Sequence, residues 1–233
     1  MNPIIRAEEV TKKFSDNETV LNGVNLSVTS HTFNAILGAS GSGKTTLLNI
    51  MSGLLKPTTG RIYYRETEIT SLDNERMSYL KRNEISTIFQ DYLLLPNLTV
   101  AENIRIGIAQ DRSSLPFREV IALLGIEDIL DKFPSQLSGG QQQRTSIARA
   151  IIKKPAVLFC DEATGALDEG NSKRVVKLLH EVKKQYGITV IFVTHNLKIA
   201  DTAERIITMK DGLVHKDQWN EAPISADEMS WGP

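Results

Sequence analysis

The fold is decided by the stretch Gly38-Ala39-Ser40-Gly41-Ser42-Gly43-Lys44-Thr45-Thr46. An apolar run with strand character, residues 33–37, precedes it, and residues 47–54 follow with apolar side chains at helical spacing. The pattern G-x-x-x-x-G-K-[ST] between a strand and a helix is typical of a phosphate-binding loop. A flexible Gly/Ser linker is the alternative, but it does not explain a Lys-Thr pair at this register between two apolar segments.

Each residue type in this loop has a use in holding phosphate. The three glycines let the backbone curl, so that successive N–H groups point at phosphate oxygens. The start of the following helix adds its positive dipole end to the same anion. Lys44 brings a positive charge to the β- and γ-phosphates, and the Thr45 hydroxyl can bind Mg²⁺. The stretch therefore predicts a nucleotide site.

The bulk composition excludes several classes of protein. The 233 residues, 41% of them apolar, allow one large domain with a sizeable core. A formal net charge of −1 gives no electrostatic reason to expect a nucleic-acid partner. Apolar runs such as residues 188–193 are far shorter than the roughly 18 residues that span a bilayer. The first residues lack the apolar core of a secretory signal, and the single cysteine, Cys160, excludes an internal disulfide; we expect a soluble, cytosolic chain.

The N-terminal part alternates in the manner of strands. Apolar residues alternate with polar ones at residues 4–10, and shorter strand patterns follow at residues 20–21 and 24–28. Between them, residues 12–17 are expected to form a turn that exposes Phe14.

The rest of the chain combines buried strands with a helical stretch. Continuous apolar runs at residues 156–160 and 188–193 are typical of strands that are buried on both faces of a parallel sheet. Residues 99–124 instead show helical spacing, with no strand-rich segment among them. The tail from residue 217 is polar. We therefore expect a helical insert between two sheet-forming halves.

Two acids, Asp161 and Glu162, directly follow the buried strand at residues 156–160. An acid at the end of an apolar strand is the second half of a phosphate-loop site, where Asp161 belongs to the Mg²⁺ shell. Glu162 is placed to polarise an attacking water as a general base. The alternative is that both acids merely solvate the end of a strand.

A second candidate anion site lies about a hundred residues after the first. Leu137-Ser138-Gly139-Gly140-Gln141 precedes a helix, and a glycine pair at a helix start can bind an anion. The alternative is an ordinary loop in which Ser138 caps the helix.

These motifs together resemble the ATP-binding cassette of the ABC transporter superfamily, in the family's order and from about residue 4 to residue 215. The matching segments are Gly38 to Thr45 (Walker A), Gln90 (Q-loop), Leu137 to Gln141 (signature LSGGQ), Val157 to Asp161 (Walker B), Ala166 to Asp168 (D-loop) and Thr194-His195 (switch). Residues 90–99, Gln-Asp-Tyr-Leu-Leu-Leu-Pro-Asn-Leu-Thr, further resemble the lipoprotein-releasing, macrolide-exporter and antimicrobial-peptide-exporter clade.

The resemblance implies an α/β fold. It has a P-loop NTPase core with a parallel sheet flanked by helices, an N-terminal antiparallel β-subdomain and an inserted α-helical subdomain. Residues 1–233 are expected to form a single domain. Within it, residues 1–90 and 156–216 form the nucleotide-binding core, residues 91–155 the helical signature subdomain and residues 217–233 a polar tail.

The resemblance also implies roles for single residues. Glu162, His195 and Gln90 are the catalytic candidates, and His195 is expected to contact the γ-phosphate. Thr45, Gln90 and Asp161 are the expected Mg²⁺ ligands. The expected ATP contacts are Phe14, Gly38, Ala39, Ser40, Gly41, Ser42, Gly43, Lys44, Thr45, Thr46, Ser138, Gly139, Gly140, Gln141 and Asp168. Phe14 would stack on adenine with its flat face. Ala163 stands where the family usually has proline, which loosens the turn after Glu162 but removes no reacting group.

The partners that the resemblance implies are a second copy and a membrane protein. Family members hold ATP between Walker A of one cassette and LSGGQ of another, so this chain is expected to form a homodimer with two ATP sites. A contiguous apolar cluster at Tyr92 to Leu98 is the expected docking site of an integral-membrane permease, and the alternative is a buried loop that packs on the helical insert. The chain would then lie on the cytoplasmic face of the membrane as a peripheral ATPase that powers a transporter, with no nucleic-acid partner. The clade resemblance favours export or extraction from the membrane, and import stays open as the alternative.

Two alternative functions stay open from the sequence. Cassette ATPases of DNA repair or translation usually carry a long coiled coil or two fused cassettes, and neither feature occurs here. A cassette that regulates cell-envelope enzymes through a membrane partner, without transport, is compatible with every motif. The transported substrate is chosen by the partner's membrane helices, so peptide, lipoprotein, drug and haem are all compatible.

Overall fold

The computed structural model describes residues 3–15, 18–109 and 114–229. The first half of the chain forms β1 (Ile5–Ser15), β2 (Glu18–Val28), β3 (Phe33–Leu37), α1 (Lys44–Met51), β4 (Thr59–Tyr64), β5 (Thr67–Glu68), α2 (Asn74–Asn83) and β6 (Ile85–Ile88). The second half forms α3 (Val100–Arg105), α4 (Phe117–Leu124), α5 (Gly139–Ile151), β7 (Val157–Asp161), α6 (Glu169–Tyr186), β8 (Thr189–Thr194), α7 (Leu197–Ala200), β9 (Arg205–Lys210) and β10 (Leu213–Trp219). Single 3-10 turns lie at Glu127–Ile129, Pro134–Gln136 and Ala226–Glu228.

A six-stranded sheet with the order β10-β9-β3-β8-β7-β6 forms the centre of the molecule. Its strands run parallel except for β10, which forms a hairpin with β9. The expected parallel strands are confirmed, and β3 and β8 are buried along their whole length. Because β3, β6, β7 and β8 point the same way, the residues that follow them meet at one edge of the sheet.

The two faces of this sheet bury two separate cores. Alternate residues of β7 divide between them: Val157 and Phe159 pack towards α1 and the N-terminal strands, and Leu158 and Cys160 pack towards α3–α6. Each fully buried aliphatic or aromatic side chain in these cores contributes about 2 kcal/mol to stability. Cys160 is fully buried, and burial, with a further effect from Asp161, raises the pKa of its thiol well above the ordinary value.

The N-terminal strands form a second, antiparallel sheet with the order β2-β1-β4-β5. The two short patterns at residues 20–28 belong to one strand, β2, in which Gly23 adopts a φ of 80°. The expected turn at residues 12–17 is wrong for its first part, because β1 continues to Ser15 and pairs with Glu18. Residues 16 and 17 lie outside the described residues.

In the described part of the segment between β6 and β7, the regular elements are helices, as the helical spacing predicts. α3 and α4 pack against α5, and the buried residues of α4 (Val120, Ile121 and Leu124) lie on one face. The expected α/β class, with a parallel sheet, an antiparallel sheet and flanking helices, is confirmed. Among the described residues, no helix combines the length and the apolar character that crossing a membrane requires.

The C-terminal part departs from the expected polar tail. Residue 217 lies inside β10, which pairs with β9 as far as Trp219. The chain then returns to α6, where Ala226 and Met229 are buried and Lys177 pairs with Asp227 at 2.7 Å. This segment is part of the packed domain because its few apolar residues close the core beside α6.

One partly buried histidine connects α6 to the central sheet. The ring of His180 stacks on Phe33, with ring centroids 4.1 Å apart, and its Nε2 lies 3.0 Å from the Thr202 hydroxyl. Burial, and to a lesser extent the charge of Lys183, lowers the pKa of His180 to about 4 from its ordinary 6.5. The folded protein therefore keeps this ring neutral at pH values where the unfolded chain protonates it.

This histidine predicts a pH-dependent loss of stability. In the unfolded chain His180 binds a proton below pH 6.5, whereas in the folded protein its pKa is about 4. The free energy of unfolding therefore falls as the pH drops from 6.5 towards 4. At pH 5 the loss amounts to about 2 kcal/mol. His180→Phe keeps the stack on Phe33, and Thr202 still donates to the Ile199 carbonyl, so the variant escapes this loss.

Urea unfolding at pH 7 and pH 5 measures the difference. His215→Phe, at an exposed histidine of β10, is the matched control and should follow the wild type. An equal decline in the wild type and in His180→Phe would contradict the assignment.

Candidate functional site

The phosphate-loop stretch joins β3 to α1 in a tight curl. Gly43 caps α1 with a φ of 95°, and a Cβ there would lie 2.8 Å from Leu21 Cδ2. A Cβ on Gly38 would lie 2.4 Å from Ser42 Oγ and 2.5 Å from the Met209 carbonyl oxygen. Gly43 is required because its torsion is left-handed and a side chain there would clash. Gly38 is required because a side chain there would clash.

The curl surrounds the charge of Lys44. Its ammonium is nearly buried and donates to the carbonyl oxygens of Gly38 and Ala39, each at 2.9 Å. The hydroxyl of Ser42 is buried and has no hydrogen-bond partner among the described residues. A buried cation and an unpaired donor inside one loop fit an anion with several acceptor oxygens, as a nucleotide phosphate has.

Beside the loop, Asp161 and Thr45 join the end of β7 to the start of α1. Thr45 Oγ1 donates to Asp161 Oδ1 at 2.9 Å. Burial, with a further effect from Glu162, raises the pKa of Asp161, while Thr45 and Lys44 oppose that shift. A carboxylate and a hydroxyl are oxygen ligands of the kind that Mg²⁺ takes, so this pair fits the implied ion.

Glu162 adopts a left-handed backbone conformation, with a φ of 45°. For a residue other than glycine this costs about 1 to 2 kcal/mol, and the turn is held by hydrogen bonds from Glu162 N to Val193 O and from Gly165 N to Glu162 O. Its carboxylate Oε1 lies 3.5 Å from His195 Nδ1, which follows β8. The sheet edge thus brings the acid and the histidine together.

A cleft of about 280 Å³ lies at this site, and Gly43, Lys44, Thr45 and Glu162 are among its lining residues. It is lined by Glu18, Val20, Ser40, Gly41, Gly43, Lys44, Thr45, Thr46 and Glu162. The sequence reasoning missed Glu18 and Val20, which reach the cleft from β2. Nothing in their local pattern marks them, because their place follows from how the antiparallel sheet packs beside the loop.

Gln90 approaches the same turn from the end of β6. It is exposed, and a Cβ built on Gly165 would lie 3.5 Å from its Nε2. The amide therefore lies beside the turn that carries Glu162. Phe14 is 56% exposed on β1, where Lys12 lies 5.1 Å from its ring centroid, and it is not among the residues that line the cleft.

The signature stretch lies at the start of α5. Ser138 caps this helix by accepting from Gln141 N at 3.3 Å, while Gln141 Oε1 accepts from Ser138 N at 2.9 Å. A Cβ on Gly139 would meet the Tyr92 hydroxyl at 3.2 Å, and one on Gly140 would meet Asn171 Oδ1 at 2.8 Å. None of these neighbours belongs to the phosphate loop.

The D-loop residue Asp168 has a structural partner in its own chain. It caps α6, accepting from Asn171 N at 2.8 Å and from Asn171 Nδ2 at 2.6 Å. These two bonds lower the pKa of Asp168. Since Asn171 also approaches Gly140, the start of α6 and the start of α5 lie against each other.

Comparison with known proteins identifies the family. The family model described as ABC transporter matches residues 21–165. A putative ABC transporter ATP-binding protein of Mycoplasma pneumoniae is 40% identical over 234 residues, which cover 98% of this chain and 50% of that protein. The macrolide export ATP-binding/permease protein MacB of Vibrio parahaemolyticus is 37% identical over 238 residues, covering 99% of this chain and 36% of MacB.

A solved structure agrees with this result. The ATP-binding cassette MJ0796, in a dimeric post-hydrolysis state bound to ADP and Pi, is 34% identical and superposes with a TM-score of 0.85, covering 94% of this chain and 99% of that one. The chain thus spans about half the length of the Mycoplasma relative and about a third of MacB. With matches to the family model, to curated relatives and to a whole solved cassette, the chain belongs to the ABC transporter family.

Proposed function

We propose that this chain is the ATP-binding and ATP-hydrolysing subunit that powers a membrane transporter. The observation that carries the proposal is the single cleft that Lys44, Thr45 and Glu162 line together. Family membership supports ATP as the substrate and Mg²⁺ as its ion. The Thr45–Asp161 pair and the nearby Gln90 would hold that ion, which neutralises phosphate charge when bound.

Binding and hydrolysis use different residues of the cleft. The loop backbone and Lys44 hold the phosphates, and Ser42 supplies a hydroxyl that has no hydrogen-bond partner among the residues the structure describes. Glu162 accepts a proton from the attacking water, and His195, 3.5 Å from it, contacts the terminal phosphate and orients the carboxylate. Gln90 positions the water from the far side of the Glu162 turn. The left-handed torsion of Glu162 aims its side chain into the cleft.

Two copies complete each ATP site in this proposal. Tyr92, Leu167 and Asn171 are the nearest neighbours of the space beside Gly139 and Gly140, and none of them belongs to the phosphate loop, so we infer that the helix start is available to a second copy. The related cassette MJ0796 is described as dimeric. Asp168, next to the signature in the same chain, would lie at the same interface, and Phe14 would stack on adenine from the exposed side of β1.

The membrane partner is proposed to dock on the loop from Tyr92 to Leu98. Leu93 is 54% and Leu95 46% exposed, whereas Leu94 packs partly into the core. A cleft of about 260 Å³ adjoins this loop and is lined by Leu54, Phe89, Gly107 and Arg149 among others. Exposed Ile106 and Ile108 extend the apolar rim. This groove combines apolar side chains with the basic residues Lys81, Arg149 and Lys153, and its apolar part fits a short helix with leucine or aromatic anchors.

The relatives support a permease as the occupant and export as the direction. MacB carries ATP-binding and permease functions in one named protein, and this chain corresponds to 36% of it. We therefore place the chain on the cytoplasmic face of the membrane, as a peripheral subunit that exports or extracts a hydrophobic or peptide-like substrate. The regions proposed as the core (1–90 and 156–216), the helical part (91–155) and the tail (217–233) would act as one domain.

Glu162→Gln tests the chemistry. The variant keeps the shape and torsion of the side chain but cannot accept a proton, so we expect ATP hydrolysis to fall about a hundredfold or more while ATP binding persists. It should also accumulate an ATP-bound dimer on size-exclusion chromatography. Glu127→Gln, at an exposed acid of the helical layer, is the control. Near-normal hydrolysis by Glu162→Gln would refute the assignment.

Mixing two inactive variants tests the shared site. Lys44→Ala removes the phosphate-binding charge, and Ser138→Arg blocks the signature, so a mixed dimer keeps one intact composite site. Random pairing of equal amounts should restore about a quarter of wild-type turnover, because half of the dimers are mixed and each has one of two sites. Ser135→Arg, three residues before Ser138, is the control and should stay active alone. A mixture no more active than its components would contradict two independent composite sites, and crosslinking across the signature would then show whether the copies meet there.

Paired leucine substitutions test the dock. Leu93→Ser with Leu95→Ser removes exposed anchors, so ATP hydrolysis by the isolated chain should persist while copurification of the membrane partner and transport are lost. Leu213→Ser, at a leucine that is 45% exposed on β10, is the control. Leu94→Ser should instead lower the melting temperature, since Leu94 packs on the core. A transporting complex formed by the double variant would exclude this dock.

A further inference from the structure

The loop proposed as the dock contains an unusual backbone turn. Tyr92 and Leu93 have φ values of 60° and 47°, so two consecutive residues with side chains are left-handed. Such residues each cost about 1 to 2 kcal/mol, and the turn persists only if its surroundings hold it. Leu93 N donates to the Asp91 carbonyl at 2.6 Å, but the main support comes from outside the loop.

That support is the guanidinium of Arg149 on α5. Its Nη1 donates to the Leu93 carbonyl oxygen at 2.7 Å and its Nη2 to the Tyr92 carbonyl oxygen at 2.9 Å. Burial lowers the pKa of Arg149, and no carboxylate among the described residues forms an ion pair with it. A charged fork that binds two adjacent carbonyls fixes the turn in position and in orientation.

The Tyr92 side chain also lies beside the start of the same helix. A methyl group on Gly139, the first residue of α5, would lie 3.2 Å from the Tyr92 hydroxyl and 3.6 Å from Leu167 Cδ2. Burial and the neighbouring Asp91 raise the pKa of Tyr92, so the group at this contact is the neutral hydroxyl. Arg149 and Gly139 are ten residues apart, which is about 15 Å along a helix. The loop therefore lies against α5 near both ends of the helix.

We infer that Arg149 and Tyr92 are positioning residues that tie the docking loop to the signature helix of the same copy. The inference rests on the proposed dock and the proposed shared site. The two helix residues involved, Gly139 and Arg149, are ten residues apart along α5, so holding both of them fixes the angle of the helix as well as its position, and a displacement of the loop turns the helix start. Because Ser138 and Gly139 serve ATP held by the other copy, each membrane partner would control the ATP site of the opposite subunit through this tie.

The test uses Glu162→Gln as the parent, since it accumulates the ATP-bound dimer. Arg149→Lys keeps the charge but can satisfy only one carbonyl, and Tyr92→Phe removes only the hydroxyl. We expect the ATP-dependent dimerisation constant to weaken about tenfold for Arg149→Lys, as after loss of one charge-assisted hydrogen bond. Tyr92→Phe should weaken it by a smaller factor, and the double variant should weaken it by less than the product of the two single factors, because both residues act through one tie.

The affinity of the dilute monomer for ADP distinguishes a positioning role of Arg149 and Tyr92 from a role in maintaining the fold. It depends on the phosphate loop and should change by less than about twofold, since neither residue touches that loop. Arg118→Lys and Tyr79→Phe, at exposed residues of α4 and α2, are the matched controls.

The outcomes separate the two proposals. If the Glu162→Gln parent does not dimerise with ATP, the proposed function is contradicted, and so is the tie, which depends on it. A parent that dimerises, together with variants that dimerise equally well, overturns the tie alone. If Arg149→Lys lowers the melting temperature or the ADP affinity, Tyr92→Phe decides: weaker dimerisation with an intact fold supports the tie, and unchanged dimerisation overturns it.

Discussion

The parallel register of β3, β6, β7 and β8 is the constraint on which the rest of this structure depends. Residues more than a hundred positions apart, such as Thr45 and Asp161, come within 2.9 Å because their strands end at one edge of the same sheet. A one-residue shift of β7 would turn Asp161 to the opposite face. The apolar residues of the central strands, which alternate between two cores, prevent that shift. The packing that fixes the strand register in the two cores therefore also fixes the geometry of the site.

The site stores electrostatic and conformational stress that the cores offset. Lys44 is nearly buried, burial raises the pKa of Asp161, and Glu162 keeps a left-handed torsion. In the protein alone these groups partly satisfy one another through carbonyls, a hydroxyl and a histidine. A nucleotide would satisfy them better, which is a physical reason for such a site to bind tightly and to be poised for change.

The sequence predicts best where chemistry and local spacing coincide. The phosphate loop and the acids after β7 could be read directly, because glycine, lysine and strand-end carboxylates each have a local signature. Glu18 and Val20 could not, since their approach to the cleft depends on how two sheets pack. The turn expected to hold Phe14 was wrong because cross-strand pairing extends β1 to Ser15.

The irregular loop after Gln90 is a second place where local sequence patterns do not predict the structure. Its apolar run predicted an exposed cluster, yet Leu94 packs on the core between exposed Leu93 and Leu95. Residue preferences also gave no sign of the left-handed pair at Tyr92 and Leu93, because the fork that holds it comes from Arg149, 56 residues later than Leu93. Burial in such a loop is decided by distant side chains, which periodicity does not report.

The burial of Cys160 has a practical consequence for studying this molecule. It is the single cysteine, it lies wholly inside β7, and burial keeps its thiol protonated. Maleimide dyes and spin labels react with exposed thiolates, so they should leave Cys160 untouched in the folded protein. A cysteine introduced at Leu93 or Leu213 would then be the only position labelled. Fluorescence or spin-distance measurements on this chain therefore do not require replacement of Cys160. Replacing it by a smaller residue would leave a cavity in the central sheet.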